Sequence, residues 1–119
     1  MIQETEVRYV IGNEIPALAI DLSLISKKND FYQSIECLTD YTKELIRERR
    51  ITEVEQCFQT AYELLHEGSL LVKLAIVSIY INSVSRLLEC SFCPEQSVKA
   101  DFLKNFGKEY HKLIYTRNI

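Results

Sequence analysis

Residues 52–69 read TEVEQCFQTAYELLHEGS and carry the clearest structural signal in the sequence. The apolar side chains of this stretch recur every three or four residues, as they do along one face of an amphipathic α-helix. That stripe contains Val54, Phe58, Ala61 and Leu65, with Cys57 and Leu64 beside it. The pattern therefore predicts a helix over residues 52–67 whose apolar side packs into a core.

Both ends of this helix carry sequence signals. Thr52 and Glu55 have the spacing of a capping box, in which each side chain accepts a hydrogen bond from the other residue's backbone amide. Gly68 stands at the position just past the helix, where we expect a residue in the left-handed conformation. Ser69 then offers an N-cap for the next helix after a link of one residue.

The next helix, expected over residues 69–91, is apolar nearly all round in its first half, from Leu70 to Ile81. Such a helix is predicted to lie at the centre of the molecule, with other helices around it. One polar stripe runs along it, containing Ser78, Asn82, Ser85 and Glu89. A solvent-facing edge is the more common reason for such a stripe, and the lining of a cleft or partner surface is the alternative.

Two further segments have helical periodicity, residues 30–49 and the chain that follows Pro94. Asp30 stands where the N-cap of the former belongs. Pro94 suits the first turn of a helix, and Gly107 is expected to weaken and kink that helix. Its apolar stripe contains Val98, Phe102, Phe106, Tyr110 and Leu113.

The N-terminal quarter is less regular. Residues 2–12 fit a short helix or a strand, and a helix is favoured because the sequence offers no second strand to pair with. Pro16 opens another segment, which ends near Ile25. The sequence therefore predicts one all-α domain over residues 1–119, with five to six helices in stacked antiparallel αα-hairpins, as a bundle or a short superhelix.

Composition narrows the function. The chain has 119 residues, with only three Gly and two Pro, which argues against a turn-rich sandwich or barrel and against a glycine-rich phosphate loop. Residues 1–97 carry 9 Lys/Arg against 15 Asp/Glu, a net charge of −6, whereas residues 98–119 carry 5 against 2, a net charge of +3. An acidic body of this kind argues against a nucleic-acid partner.

The expected compartment is the cytoplasm. The N-terminus, MIQETE, lacks the basic start and apolar run of a secretory signal. The longest nearly apolar stretch, Leu70–Ile81, has twelve residues and contains Lys73, so it is shorter than the ~20 residues of a membrane span. We therefore expect no membrane partner, and we expect the four cysteines to be free thiols.

Candidate chemistry is sparse. Cys90 and Cys93 form a Cys-x-x-Cys pair, which is a weak metal candidate because a second pair of ligands is missing. A redox role is open, although such motifs usually belong to a βαβ unit, and two packed thiols at a helix turn are the ordinary explanation. His66 and His111 have no partners suited to catalysis. The sequence thus predicts no cofactor, no metal and no enzyme activity.

Two charged rows mark the surface. Acidic residues recur every four positions on the helix over residues 30–49, so they share one face: Glu36, Asp40, Glu44 and Glu48. We expect a partner to bind this row or the stripe of Ser78, Asn82 and Ser85. Lysines at 104, 108 and 112 form a basic row, which is most simply a solvated face.

The chain resembles a group of small all-helical bacterial proteins, mostly uncharacterised, some of which are similar to immunity proteins of toxin systems. The resemblance covers about two thirds of the chain and rests on Cys57-Phe58, Glu63-Leu64-Leu65 and Gly68 followed by an apolar helix, and on Ile15-Pro16-Ala17-Leu18. Ser69-Leu70-Leu71 stands where that group has an acidic turn. The resemblance implies an all-α fold and a protein-binding role, with no catalytic residue to carry over.

The sequence therefore predicts a non-enzymatic intracellular protein-interaction module, immunity-like in role, with an unknown and basic protein partner. The alternative is a thiol- or metal-dependent regulator that uses Cys90 and Cys93.

Overall fold

The computed structural model describes residues 1–26, 30–89 and 96–117. Two 3-10 turns, Glu4–Glu6 and Pro16–Leu18, precede the first and second helices, and a π-helical segment, Ile76–Ile81, lies between the fifth and the sixth. The helices are α1 (Val7–Glu14), α2 (Ala19–Ser23), α3 (Asp30–Arg47), α4 (Ile51–Glu67), α5 (Leu70–Ala75), α6 (Asn82–Leu88) and α7 (Gln96–Arg117). These ranges contain no β-strand, so the predicted all-α fold is confirmed.

Helices that are joined by short links pack against each other. This holds for α1 with α2, α3 with α4, and α4 with α5. Helix α4 also packs against α7, while α3 packs against α1 and the π-segment. The core therefore lies between α3, α4 and the π-segment, as expected for stacked αα-hairpins.

The N-terminal quarter is helical, and the strand alternative is wrong. Its apolar residues Ile15, Leu18 and Leu22 are buried. Arg8 ties it to α3, because its Nε donates to Asp30 Oδ1 at 2.7 Å and its Nη2 donates to the Ile25 carbonyl at 2.9 Å. Asp30 is the first residue of α3 rather than its N-cap, and its carboxylate pairs with Arg8 instead.

The link between α3 and α4 turns on Arg49, which has a positive φ of 59°. The amide of Arg49 donates to the Ile46 carbonyl at 3.1 Å, and the amide of Arg50 donates to the Leu45 carbonyl at 3.0 Å. Together these bonds form a Schellman motif, which usually has glycine at the left-handed position. The chain therefore reverses within a few residues of the end of α3.

Because this turn is so tight, α4 begins earlier than the sequence indicates. Its first residue is Ile51 and its N-cap is Arg50, whose side chain forms an ion pair with Glu53. The predicted capping box is wrong, since Thr52 lies inside the first turn and is exposed. The local pattern identified the helix but placed its start at the wrong residue.

The link between α4 and α5 also differs from expectation. Gly68 is extended, with φ −77° and ψ 161°, so the prediction of a left-handed residue is wrong. Glycine is needed here for space, because a Cβ would lie 2.6 Å from Val72 Cγ1 and closer still to the Leu64 carbonyl oxygen. The close approach of α4 and α5 thus selects a residue without a side chain.

The N-terminus supports this second link. The Ile2 amide donates to the Glu67 carbonyl at 2.6 Å, and the Ser69 amide donates to the Ile2 carbonyl at 2.8 Å, which pairs Ile2 with Gly68 as an isolated parallel bridge. Ser69 Oγ accepts from the Val72 amide at 3.3 Å, so the predicted N-cap is confirmed.

Helix α5, the π-segment and α6 follow one another without a break from Leu70 to Leu88. Ile76 is fully buried, as expected. The expectation that the first half is surrounded on all sides is wrong, because Leu70, Leu71 and Leu74 are exposed. Helix α5 packs on α3 and α4 from one side only, which leaves these three leucines facing outward.

By length and composition, Leu70–Leu88 is also long and apolar enough to cross a membrane, a property that the core helix of a soluble protein shares. It is longer than the twelve-residue stretch on which the sequence argument against a span rested.

Tyr80 of the π-segment crosses the core to α3. It is fully buried, and its Oη lies 3.0 Å from Thr42 Oγ1. The single hydroxyl proton of Thr42 is used in a bond to the Leu38 carbonyl at 2.8 Å. Tyr80 is therefore the donor, and each buried hydroxyl has a partner.

Helix α7 closes the other side of the core. Val98, Phe102 and Phe106 are buried, with Tyr110 and Leu113 half-buried, so the predicted stripe is confirmed. The backbone at Phe106 leaves helical geometry, with φ −129° and ψ 16°, which places a kink beside Gly107 as expected. Phe58 of α4 packs edge to face against Phe106, with ring centroids 5.9 Å apart.

Candidate functional site

The four acidic residues predicted to share one side of α3 are all exposed: Glu36, Asp40, Glu44 and Glu48. Glu36, Asp40 and Glu44 lie within α3 and Glu48 directly follows its last residue, so the row is about 18 Å long. The opposite side of α3 is buried and carries Ile35, Leu38, Thr42 and Leu45. We refer to the four carboxylates as the acidic face.

Three carboxylates of the acidic face, those of Glu36, Asp40 and Glu44, make no hydrogen bond or ion pair with another described residue. In Glu48, Oε1 lies 3.5 Å from Nη1 of Arg50. Elsewhere Asp30 is paired with Arg8 and Glu53 with Arg50. Three of the four carboxylates of the acidic face thus carry negative charge that no described residue neutralises.

A fifth carboxylate, that of Asp21, lies near the acidic face, and the sequence pattern did not indicate it. Burial, followed by the charges of Asp21, Asp40 and Glu36, raises the pKa of Cys37 above its usual value. Asp21 of α2 therefore lies close enough to add to the potential of the acidic face. Its position depends on the packing of α2 against α3, and no local pattern contains that information.

The predicted polar stripe does not lie on one face. Ser78 is exposed, Asn82 is half-buried, and Ser85 is buried at 1% exposure. Ser78 lies inside the π-segment, whose i to i+5 bonding gives a wider turn than that of an α-helix, so the spacing of an α-helix does not hold between Ser78 and Ser85. Ser78 and Ser85 therefore face different surroundings, and Ser85 is not available at the surface.

Ser85 and Glu89 instead line a cleft between α6 and α7, with a volume of about 210 Å³. Its walls are mainly apolar: Leu88, Phe102, Leu103 and the ring of Tyr110. Tyr110 Oη donates to Glu89 Oε1 at 2.7 Å, which joins the two helices. The cleft is smaller than the ~300 Å³ at which ordinary small-molecule sites begin.

The cysteines divide into two groups. Cys90 and Cys93, the weak metal candidates, lie outside the described residues. Cys57 is buried beneath α3, and burial is the main cause that raises its pKa to about 11. Such a thiol behaves as a small apolar side chain. No group of three His, Cys, Asp or Glu side chains suited to a metal ion occurs in the described ranges.

The remaining candidates lie at the surface. His66 is exposed and stacks on Tyr62, with ring centroids 4.1 Å apart. Lys104, Lys108 and Lys112 are exposed along α7. Helix α7 packs on α4, and α3 packs on α4 as well, so the two charged rows belong to different helices of the same body.

A pair of carboxyl groups joins α1 to α4. Glu14, the last residue of α1, lies beside Glu63 of α4. Burial, followed by the neighbouring carboxyl group of Glu63, raises the pKa of Glu14 to about 7. Two adjacent carboxylates repel each other, which favours the protonated form of Glu14. Nearby, Gln56 Nε2 donates to the Glu14 carbonyl at 3.2 Å.

Comparison with known proteins supplies the family. No curated protein and no solved structure matches the chain. One family model does match, and it covers residues 9–119. Because that range is more than half of the chain, the protein belongs to the family described as a domain of unknown function, DUF7674.

Proposed function

We propose that this protein is a non-enzymatic protein-binding module and that its acidic face binds a basic partner. The observation that carries the proposal is that Glu36, Asp40 and Glu44 are exposed and have no ionic partner among residues 1–26, 30–89 and 96–117. Like charges spaced four residues apart on a helix destabilise it slightly. Cations of a partner would attract these carboxylates and would also relieve the repulsion between them. The same contact therefore stabilises the bound state in two ways.

Long-range electrostatics support the same conclusion. The acidic face belongs to the part of the chain with a net charge of −6, and Asp21 adds to its potential. A patch of one sign attracts a partner of the other sign before contact and raises the association rate. We therefore expect fast association with the partner and an association rate that falls as salt is added.

The partner class that we propose is a protein toxin, with this chain acting as its immunity-like inhibitor in the bacterial cytoplasm. Proteins that act on nucleic acids present basic surfaces. An acidic helix face can cover such a surface and keep it from its substrate. The resemblance to toxin-immunity proteins agrees with this role, and so does the acidic charge.

Charge reversal tests the proposal. Asp40→Lys with Glu44→Lys changes the acidic face, and Glu55→Lys with Glu67→Lys is the matched control, because both pairs are exposed and change the net charge equally. The partner is captured from a native lysate, and association kinetics are then measured at two salt concentrations. We expect the first pair to slow association about tenfold or more and the control pair to have a much smaller effect.

Equal, salt-independent association rates for all three proteins would exclude the acidic face as the binding surface.

The alternative function, a thiol- or metal-dependent regulator, is tested on the same samples. It requires bound zinc or a reactive dithiol that disappears when Cys90 and Cys93 are replaced by serine. Loss of the helical circular dichroism in that double variant, together with loss of zinc, would favour this alternative.

A further inference from the structure

An apolar surface lies beside the acidic face on α2. Ile20 is 75% exposed and Leu24 is 79% exposed, although both are large aliphatic residues. They lie four residues apart, so their side chains are neighbours on one side of the helix. Exposed apolar side chains mark an interaction site when they belong to a larger contiguous patch, so the surroundings of this pair decide its meaning.

The arrangement around α2 places this pair between two other features. Leu22 points into the core. At about 100° per residue, Ala19 and Ser23 then face α1, Asp21 faces the opposite flank, and Ile20 with Leu24 points outward. Asp21 acts on Cys37 together with Glu36 and Asp40, which puts the acidic face on that opposite flank.

A groove lies on the other flank of the pair, between α1 and α2. It has a volume of about 270 Å³, and Tyr9, Gly12, Ala19 and Leu22 line it together with Arg8, whose guanidinium is paired with Asp30. The absence of a side chain at Gly12 and the small side chain of Ala19 leave this groove open. Tyr9 is itself exposed at the rim. The groove, the α2 pair and the acidic face therefore form a continuous surface, apolar on one side and acidic on the other.

We infer that this composite surface binds a basic amphipathic helix, and this inference rests on the proposed function. Apolar residues on one side of that helix cover Ile20 and Leu24, and lysines or arginines on its flank meet Asp21, Glu36 and Asp40. Interfaces commonly combine an apolar anchor with a charged rim in this way. Charge complementarity selects a basic ligand. The apolar pair further requires that one face of the ligand helix carries apolar residues instead of basic ones.

A second exposed apolar group provides the comparison. Leu70, Leu71 and Leu74 of α5 are also exposed, but Lys73 lies among them and a basic helix gains nothing there. The two apolar patches thus differ in the described charges beside them, which are Asp21, Glu36 and Asp40 at the α2 pair and Lys73 at the α5 leucines. Only the α2 patch is expected to bind the basic helix.

The experiment uses three synthetic peptides and the full chain. The probe is a peptide of about 18 residues, or five helical turns, made of leucine and lysine with all leucines on one face. A scrambled peptide of the same composition and a lysine–serine peptide are the ligand controls. Binding is measured by fluorescence anisotropy for the wild type, for Ile20→Ser with Leu24→Ser, and for Leu70→Ser with Leu74→Ser.

We expect the amphipathic peptide to bind more tightly than either control peptide. The α2 double variant should lose about tenfold in affinity, whereas the α5 double variant should bind as the wild type does. Because all four positions are exposed, circular dichroism should show both variants to be folded. Backbone amide NMR shifts of the wild type should then change at residues 20–24 and 36–40 on binding.

Several outcomes overturn the inference. Equal binding of the scrambled peptide would exclude recognition of an amphipathic helix, and equal losses in the two double variants would exclude the α2 patch. Asp40→Lys with Glu44→Lys separates this failure from that of the proposed function. If that charge reversal still weakens binding while the α2 variant does not, the acidic face remains and only the apolar anchor is wrong. If it has no effect, the proposed function itself fails.

Discussion

The link between α3 and α4 and the link between α4 and α5 are both a few residues long, but they are held in different ways. The first is local: its left-handed residue, Arg49, and its two closing hydrogen bonds all lie within residues 45–50. The second depends on distant groups, because Ile2 bonds to both sides of Gly68 and the Ser69 hydroxyl donates to Glu4 Oε2 at 3.0 Å. We therefore expect substitutions at the second link to have the larger effects on stability.

The largest expected effect is that of Gly68→Ala. The new methyl group would overlap Val72 and the Leu64 carbonyl, so α4 and α5 must separate. We expect a loss of about 3 kcal/mol in the free energy of unfolding, measured by urea denaturation. Gly107→Ala is the control, since a Cβ there meets nothing within 4 Å. It should be neutral or stabilising by a fraction of ~1 kcal/mol.

The contribution of the N-terminus is tested by Ile2→Pro. Proline removes the amide that donates to the Glu67 carbonyl at 2.6 Å, while the acceptor remains. We expect a loss of about 1.5 kcal/mol, and Ile2→Val, which keeps the amide, should lose less. Equal losses in the two variants would mean that side-chain packing, not the bridge, holds the N-terminus at this link.

The pH dependence of stability tests a further distant contact of α4. The folded-state pKa of Glu14 is raised from 4.5 to about 7, so the folded protein binds the proton more tightly than the unfolded chain. Its contribution is fully present below pH 4.5 and is lost as the pH rises through 7. Because Glu14 is half-exposed, solvent screening limits the effect to about 1 kcal/mol.

The control for this contact is Glu14→Gln. Glutamine does not titrate, so this variant should lose the decrease in stability between pH 5 and 8, measured as the urea midpoint. A decrease of the same size in both proteins would assign it to other groups.

The smallest effect is expected at the local link. Arg49 is exposed and has a positive φ, which costs a side-chain-bearing residue about 1 kcal/mol. Arg49→Gly removes that strain but makes the unfolded chain more flexible, so a net stabilisation of about 0.5 kcal/mol is expected in thermal denaturation. A clear destabilisation would show that the Arg49 side chain supports the turn.

These two links also show what the sequence could reveal about the fold. Periodicity identified α4 and α7 and the burial of Phe58 and Ile76, because core-facing residues repeat locally along a helix. Gly68 was correctly expected to matter at a helix end, but for the wrong reason. The space that it leaves is set by the position of Val72, which only the packed structure defines.

The candidate site divides in the same way. The exposure of Glu36, Asp40, Glu44 and Glu48 followed from spacing on one helix. The positions of Asp21 and of the apolar pair on α2 could not be predicted from spacing, because their place beside the acidic face depends on how α2 packs. Ser85 was expected to share a face with Ser78, but Ser78 lies inside the π-segment, whose wider turn separates the two side chains. Helical spacing is therefore a sound guide only while the helix keeps its regular turn.

The burial of Tyr80 has an optical consequence. The chain has no tryptophan and seven tyrosines, all within the described ranges, and Tyr80 is the one that is fully buried. A phenol that is locked in one orientation, with its hydroxyl bonded to Thr42, gives a near-ultraviolet dichroic band that a freely rotating ring lacks. Burial also raises the pKa of Tyr80 well above the usual value, which keeps this ring neutral while the fold persists. The protein thus contains a label-free spectroscopic reporter of the contact between α3 and the π-segment.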